Sequence, residues 1–171
     1  MYLITGSCDS WVTWVVICRL YAMLVSAMTL AGIFDGEGFF TIRKSAPTNK
    51  KMGKRPMRLQ AVVSVTITEK YICDGFENEF GGYVRKFGKP KKANHSQYYI
   101  WNLTGPKIME FCDKLLPILT IKRERAELIK EFQIIKSSVG NQPISDEVYD
   151  KTVELYNKFR ELNKRGVEID N

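Results

Sequence analysis

The stretch Leu30-Ala31-Gly32-Ile33-Phe34-Asp35-Gly36-Glu37-Gly38 joins a long apolar segment to an acidic, glycine-rich turn. The 24 residues of segment 11–34 contain a single charged side chain, Arg19. Such a segment is typical of a helix that is buried on nearly all sides. We therefore predict a helix over about residues 11–36, with the acidic side chains at its C-terminal end.

A membrane-spanning helix needs about 20 apolar residues, so segment 11–34 has to be compared with one. Arg19 falls inside the segment, and no basic cluster flanks its start. A charge inside the segment is not typical of a transmembrane helix, and the lack of a basic flank is not typical of a secretory signal peptide. We favour a helix packed on its own domain and on a partner, and we expect no membrane partner.

Two β-hairpins are predicted after the acidic turn. Residues 58–68 alternate between apolar and mostly polar side chains, as expected of a strand with one buried face. The apolar positions of this strand are Ala61, Val63, Val65 and Ile67. Together with the aromatic and β-branched run at 39–44, this pattern predicts a first hairpin over about residues 39–68. A second pair of strands around a basic loop predicts another hairpin over about 83–103.

Helices fill the rest of the chain. The spacing of Tyr71–Phe80 predicts a short helix that ends at Gly81-Gly82. Thr104 is the expected N-cap of a further helix, and C-terminal helices are predicted over about 105–165. The order is α-β-β-α-β-β-α plus C-terminal helices, which indicates an α+β fold with helices on one face of the sheet. We interpret residues 1–171 as one domain.

The charge is concentrated in the predicted hairpins. The chain has 26 Lys and Arg and 19 Asp and Glu, a formal net charge of +7. Residues 39–109 carry a net charge of +10, against −2 for residues 1–38 and −1 for residues 110–171. Bases that alternate with strand-forming residues suit a phosphate backbone. We therefore expect nucleic acid as the partner.

Histidine and cysteine usage excludes several kinds of site. The chain has one histidine, His95, which rules out chemistry that needs two imidazoles. A catalytic metal would therefore sit on oxygen ligands. The four cysteines are too far apart for a CxxC pair or a compact disulfide framework, which indicates a reducing compartment.

The stretch 30–38 resembles the motif of the LAGLIDADG family of homing endonucleases and intron maturases, with Glu37 in place of the usual second Asp. The motif occurs once, so the resemblance is to the single-motif, homodimeric branch. It implies an antiparallel, saddle-shaped sheet and an intracellular location, in the cytoplasm of a prokaryote or in an organelle. It also implies an intron-encoded hydrolase that makes a staggered double-strand break in a long, near-palindromic DNA site.

The resemblance implies roles for the residues of the turn. Glu37 corresponds to the essential metal-binding acid, and Gly36 to the neighbour whose main-chain carbonyl also reaches the metal. The expected cofactor is Mg²⁺, with Mn²⁺ or Ca²⁺ as possible substitutes, because such ions prefer oxygen ligands. Ala31 and Gly32 are small enough for close helix contact, so they are expected at the dimer interface together with Asp35, a structural acid at the helix end.

Two further residues match catalytic positions of the family. Glu69, in Ile67-Thr68-Glu69-Lys70, would orient or deprotonate the attacking water; its alternative is a solvated residue at a strand end. Lys122 matches a lysine near the scissile phosphate and would stabilise transition-state charge. A surface lysine at a helix start is the alternative for Lys122.

The family binds DNA with the strand faces opposite the core, through two antiparallel ribbons per half-site. The residues that alternation places on these faces are Thr41, Arg43, Ser45, Gln60, Val62, Ser64, Thr66, Tyr83, Arg85, Phe87, Tyr98, Ile100 and Asn102. The best candidates for base contacts are Arg43, Arg85 and Gln60. The candidates for phosphate contacts are the loop lysines Lys50, Lys51, Lys54, Lys89, Lys91 and Lys92.

Two alternatives to a nuclease remain open. The first is a maturase that binds its own intron RNA, and the second is a DNA-binding protein of the same fold that does not cleave. Glu37, Gly36 and Lys122 favour the enzyme, because a protein that only binds has no need for carboxylates near phosphates.

Overall fold

The computed structural model describes residues 26–45, 58–87, 97–139 and 144–164. Helix α1 is described over residues 26–37. The elements that follow are β1 (Gly38–Ser45), β2 (Arg58–Ile67), α2 (Lys70–Phe80), β3 (Tyr83–Phe87), β4 (Tyr98–Thr104), α3 (Lys107–Leu115), α4 (Arg123–Val139) and α5 (Asp146–Leu162). This order confirms the predicted α+β arrangement.

The four strands form one antiparallel sheet in the order β1-β2-β4-β3. The first hairpin pairs β1 with β2, from Gly38 opposite Val65 to Ser45 opposite Arg58. The second hairpin pairs β3 with β4, and β2 joins β4 at the centre of the sheet. Both predicted hairpins are therefore present, next to one another. The loops of the two hairpins, residues 46–57 and 88–96, lie outside the described residues.

One face of the sheet forms the core. Residues that are directly opposite across an antiparallel pair point to the same face, and on this face they are almost all buried. The core side chains of the sheet are Phe40, Ile42, Leu59, Ala61, Val63, Val65, Trp101 and Leu103. The predicted core positions Ala61, Val63 and Val65 of β2 are thus confirmed.

The end of α1 is anchored in this core by Phe34. The Phe34 ring centroid lies 4.9 Å from that of Phe40 and 5.0 Å from that of Phe111 in α3. A side chain at Gly38 would overlap the Phe34 ring, so the turn from α1 into β1 requires glycine at this position. The position of the acidic motif is therefore fixed by packing.

The turn between α2 and β3 follows the prediction. Gly81 and Gly82 have φ angles of 74° and 89°, which glycine adopts without strain. The indole N–H of Trp101 donates a hydrogen bond of 2.7 Å to the Gly81 carbonyl. This contact ties the turn to the core.

Some predicted boundaries differ from the structure. Thr104 is the last residue of β4 because it pairs with Val62, so its expected role as N-cap of α3 is wrong; Pro106 occupies that position. The Ser145 side chain caps α5 by accepting a hydrogen bond from the Val148 N–H at 3.3 Å. Cys73 and Cys112 are buried free thiols.

The predicted N-terminal helix is described in its last part only. Residues 11–25 lie outside the described residues, and α1 continues to residue 37. In the four described ranges, no helix is long and apolar enough to cross a membrane.

Candidate active site and nucleic-acid interface

The C-terminal end of α1 lies against the turn that leads into α4. The Asp35 carboxylate accepts main-chain N–H bonds from Thr120 (2.8 Å), Ile121 (3.3 Å) and Lys122 (3.1 Å). Consecutive N–H groups that converge on one carboxylate form an anion-binding arrangement of the backbone. Asp35 therefore fixes the start of α4 relative to the end of α1.

The Lys122 side chain makes the complementary contact. Its ammonium donates to the carbonyl oxygens of Phe34 (2.8 Å) and Gly36 (3.3 Å), and also to that of Asp35. The last carbonyls of a helix have no intrahelical partner and carry partial negative charge. Lys122 thus caps α1 with a positive charge.

The surroundings of Lys122 change its titration. Partial burial lowers the pKa of the Lys122 ammonium below its ordinary value of 10.5, and the positive charge of Arg125 acts in the same direction. The negative charges of Asp35 and Glu37 oppose this effect and raise the pKa. Loss of hydration is the largest effect, because the ammonium is packed against the end of α1.

Glu37 is the last residue of α1, and its side chain is exposed, as is Gly36. A carboxylate and a main-chain carbonyl are oxygen ligands of the kind that Mg²⁺ accepts. The Gly36 carbonyl is also the oxygen that Lys122 reaches at 3.3 Å. Among the described residues, no three or more His, Cys, Asp or Glu side chains cluster as a metal site.

Glu69 lies at the same end of the sheet as Glu37. Gly38 at the start of β1 pairs with Val65 near the end of β2, so the residues just before β1 and just after β2 are brought to one edge. The Glu69 side chain is exposed, and its carboxylate accepts a 2.7 Å hydrogen bond from the Thr68 hydroxyl. Catalysis by Glu69 stays a prediction.

The strand pairing brings the predicted DNA-contacting side chains to one face of the sheet. Thr41 lies opposite Val62, Ser64 opposite Asn102, and Asn102 opposite Tyr83. The same register places the other predicted strand residues on this face, opposite the core. We call it the open face, defined as Thr41, Arg43, Ser45, Gln60, Val62, Ser64, Thr66, Tyr83, Arg85, Phe87, Tyr98, Ile100 and Asn102.

Basic and aromatic side chains interact along the second hairpin, on strands β3 and β4 of the open face. The Arg85 guanidinium lies 5.1 Å from the centroid of the Tyr83 ring. The Phe87 and Tyr98 rings are stacked with centroids 5.1 Å apart, and Phe87 is exposed. These contacts hold planar groups side by side along β3.

The centre of the open face differs from the prediction. Val62, Ser64 and Asn102 are 1%, 0% and 0% exposed, although strand alternation predicted accessible side chains there. The Ser64 hydroxyl donates to Asn102 Oδ1 at 2.8 Å, and Arg43 donates to the same oxygen at 3.3 Å. Direct DNA contact by Ser64 and Asn102 is therefore corrected, because their polar groups are turned toward one another and toward Arg43.

The strand pattern did not identify two exposed residues on this side of the sheet. Phe39 lies opposite Ser64 and Arg58 lies opposite Ser45, so both share the open face, and both are exposed. The alternation of β1 continues back through Phe39 and could have identified it. The loop lysines 50, 51, 54, 89, 91 and 92 lie outside the described residues, so their phosphate contacts stay predictions.

Of the three residues expected at a dimer interface, Gly32 is exposed, whereas Ala31 and Asp35 make contacts within their own chain. Ala31 is 2% exposed and belongs to the core of its own chain, so the expectation that it faces a partner is corrected. Gly32 is exposed, and a Cβ added to it would meet no atom of the described residues within 4 Å. Asp35 uses its carboxylate within the chain, as described above.

Comparison with known proteins identifies the family. A sequence model described as LAGLIDADG endonuclease matches residues 30–138. The match starts at the acidic motif of α1 and runs through both hairpins to near the end of α4. It therefore covers the elements that form the open face and the Asp35–Lys122 contacts. No curated protein sequence matches this chain.

Solved structures share the fold at low sequence identity. The homing endonuclease I-CvuI, in complex with its target in the presence of Ca, is 19% identical with a TM-score of 0.65, over 84% of this chain and 85% of that one. The archaeal intron-encoded homing endonuclease I-Vdi141I, complexed with DNA, is 15% identical with a TM-score of 0.65, over 86% and 89%. The homing endonuclease I-TnaI is 20% identical with a TM-score of 0.60, over 80% and 92%.

The matched segment spans more than half of the chain, and the fold agrees with these three structures over most of their length. The chain belongs to the LAGLIDADG endonuclease family.

Proposed function

We propose that this chain is an intron-encoded homing endonuclease that works as a homodimer. It binds a long, near-palindromic double-stranded DNA site and makes a staggered double-strand break by metal-dependent phosphodiester hydrolysis. One observation carries the proposal: α1 ends at the exposed residue Glu37, and the contacts of Asp35 and Lys122 fix this end of the helix in place. The strand that follows Glu37 belongs to the open face, which carries arginines.

The exposed side of α1 supports the dimer. Gly32 offers a helix surface without a side chain, and no atom of the described ranges lies within 4 Å of an added Cβ. Two copies of such a helix can approach closely. A two-fold axis there would bring Glu37 of each copy to the centre of two open faces. An interface of this symmetry matches a near-palindromic site with one cut per strand.

Metal binding is proposed for Glu37 and Gly36. Their carboxylate and carbonyl oxygens have the donor chemistry of a Mg²⁺ site, and both residues are exposed. I-CvuI has been crystallised with DNA in the presence of Ca and of Mg, which supports a divalent cation here. When bound, the cation would supply Lewis-acid stabilisation of the scissile phosphodiester.

The chain itself would contribute charge and a proton acceptor. The Lys122 ammonium lies against the Gly36 carbonyl and would stabilise negative charge as it develops on the phosphate. The exposed Glu69 carboxylate, at the same edge of the sheet, would orient a water molecule and accept its proton. These two roles require no movement of α1, because Asp35 and Lys122 already fix it.

The proposed DNA surface is the open face. Its basic side chains and exposed aromatic rings suit a major groove and its phosphates. I-CvuI and I-Vdi141I are described in complex with DNA, which supports double-stranded DNA as the ligand. Binding is expected to weaken steeply with salt, because phosphate contacts release counterions.

The test is cleavage of a plasmid library that carries a randomised duplex insert. The purified full chain is incubated with the library and Mg²⁺, and the cut ends are sequenced. We expect one near-palindromic site with a constant overhang, and no cutting by Glu37→Gln. Glu110→Gln, which changes an exposed acid of α3, is the matched control and should cut like the unchanged protein.

Other outcomes identify the alternatives. Equal cutting by Glu37→Gln would overturn the assignment of the active site. Selective binding of library members without any cleavage would favour a DNA-binding protein on this fold. Splicing of a precursor RNA by the same preparation, with no DNA cleavage, would favour a maturase.

A further inference from the structure

Asn102 lies at the centre of the open face, where three strands meet. It is opposite Ser64 of β2 on one side and opposite Tyr83 of β3 on the other. Its side chain belongs to the face that the core does not use, and yet it is 0% exposed. A buried amide at this place needs a partner for its polar atoms, so its contacts are informative.

The hydrogen bonds fix the orientation of the Asn102 amide. The Arg43 guanidinium lies 3.3 Å from Oδ1, and a guanidinium can only donate. The amide atom that faces Arg43 must therefore be the oxygen. The Ser64 hydroxyl also donates to this oxygen, at 2.8 Å, so one acceptor holds two donors from two neighbouring strands.

The other end of the amide has no such contact. Among the described residues, no hydrogen-bond partner lies next to Asn102 Nδ2, which is buried. An unsatisfied buried donor destabilises a fold, and an apolar side chain of similar size would avoid this cost. Asn102 is therefore a poor choice for packing alone, whereas its oxygen is used twice.

The Asn102 oxygen restricts the position of the Arg43 side chain. Arg43 pairs with Gln60, whereas Asn102 pairs with Ser64, four positions further along β2. The arginine thus crosses the face diagonally, over the position of Val62, which is 1% exposed. Tethering a long side chain removes rotamer freedom before any ligand binds. A guanidinium has five N–H groups, so one bond to Asn102 leaves donors for a base.

We propose that Asn102, oriented by Ser64, is a positioning residue that holds the Arg43 guanidinium to recognise a guanine in each half-site of the DNA. The inference rests on the proposed DNA binding and deepens it. Arginine donates to guanine O6 and N7 in the major groove. In this scheme Asn102 and Ser64 do not touch the base, and Arg43 is the residue that reads it.

The experiment selects bound sequences from a randomised duplex library with the full chain in Ca²⁺. Arg43→Ala should lose the preference for guanine at one position of each half-site, by roughly ten-fold or more. Asn102→Leu, which keeps the branched shape of the side chain but removes the acceptor, should weaken the preference at this same position. Arg85→Ala is the matched control and should change a different position.

A conservative variant separates positioning from a structural role. Asn102→Asp keeps an acceptor at the place of Oδ1 and should keep the guanine preference, even if the added charge weakens binding to all sequences alike. Asn102→Leu removes the unsatisfied Nδ2 donor but also leaves the buried Ser64 hydroxyl without its acceptor. These two effects oppose one another, so its thermal midpoint should fall by no more than a few degrees, the shift for about 1 kcal/mol. Ser64→Ala removes only the second tether and should weaken the preference less than Asn102→Leu.

The outcomes distinguish this inference from the proposed function. Selective DNA binding in which Asn102→Leu leaves the Arg43-dependent position unchanged would overturn the inference and leave the function standing. Binding without any sequence preference would reject both. The contact between Arg43 and Asn102 can also be tested without DNA, by NMR of the Arg43 side-chain N–H groups, whose signals are assigned with Arg43→Lys. These groups should show restricted motion in the unchanged protein and in Asn102→Asp. Equal order in Asn102→Leu would reject the tether.

Discussion

The side chains of Asp35 and Lys122 each form hydrogen bonds with the backbone around the other residue. The Asp35 carboxylate accepts from three consecutive N–H groups, those of residues 120–122, and the Lys122 ammonium donates to three consecutive carbonyls, those of residues 34–36. Each side chain thus satisfies backbone groups next to the other residue. This reciprocal contact keeps the acidic end of α1 at a fixed place, which the proposed catalytic role of Glu37 requires.

The Lys122 contact should contribute to stability. Lys122→Met keeps most of the aliphatic stem and removes the ammonium, so the carbonyls at the end of α1 lose their donor. We expect the free energy of unfolding to fall by about 2 kcal/mol, the range of hydrogen bonds to charged groups. Urea unfolding measures it.

The matched control is Lys114→Met. Lys114 forms an ion pair with Glu79 between partly exposed side chains, and such pairs contribute less than about 1 kcal/mol. An equal loss in both variants would contradict a special role for Lys122.

The Asp35 carboxylate should contribute more to the free energy of unfolding than an ordinary helix cap does. Asp35→Ala leaves three N–H groups without their acceptor, and we expect a loss of about 2–3 kcal/mol. Ser145→Ala, which removes the single N-cap bond of α5, should cost about 1 kcal/mol. Thermal and urea unfolding of the two variants give the comparison.

Coupling between the two residues can be measured directly. The double variant Asp35→Ala/Lys122→Met should lose less stability than the sum of the single losses, because each change already weakens the same helix contact. Additive losses would indicate that the two caps act independently.

Stability should depend on the titration of Lys122. Its pKa is lowered from 10.5 in the folded chain, so between the lowered pKa and 10.5 the unfolded chain binds more protons. The free energy of unfolding of the unchanged protein, relative to Lys122→Met, should therefore rise as the pH increases through this window.

The same titration can be followed at the residue itself. NMR of the lysine side-chain methylene next to the ammonium should give a midpoint for Lys122 below that of exposed lysines. Glu37→Gln should lower the midpoint further, because the Glu37 charge raises the pKa of Lys122. An unchanged or higher midpoint in Glu37→Gln would contradict this arrangement of charges.

The dimer is tested at Gly32 of α1. Gly32→Leu should convert the dimer to monomer in sedimentation experiments, because the added side chain would occupy the space that the second helix needs. Gly75→Leu in α2 is the matched control: in the part of the chain that the structure describes, an added Cβ there also meets nothing within 4 Å. Both changes remove a helical glycine and should not destabilise the single chain. A dimer in both variants would overturn the proposed interface.

The role of Glu69 is tested by the rate of DNA cleavage. DNA binding is measured alongside and should not change. Glu69→Gln should slow cleavage by roughly 10²-fold or more, because the side chain can no longer accept a proton. Its effect should decrease as the pH rises, since hydroxide replaces the missing base. An unchanged rate would show that Glu69 is a solvated residue at the end of β2, the alternative that its exposure allows.

The sequence by itself determined the elements and the family. Strand alternation identified the buried positions Ala61, Val63 and Val65, and Gly81-Gly82 marked the end of α2, because these signals depend on local geometry and on burial of one face. The motif at 30–38 identified the family through residues that are contiguous in the chain. Periodicity also separated the core face from the open face.

Only the tertiary structure decided how distant residues satisfy one another. Asp35 and Lys122 are 87 positions apart, and Arg43 and Asn102 are 59 apart, so no local pattern could pair them. Alternation gave Ser64 and Asn102 the right face but not their burial, and it could not tell that Ala31 packs inside its own chain. The reason is that alternation fixes the direction of a side chain, whereas burial and hydrogen bonding depend on what the rest of the chain brings against it.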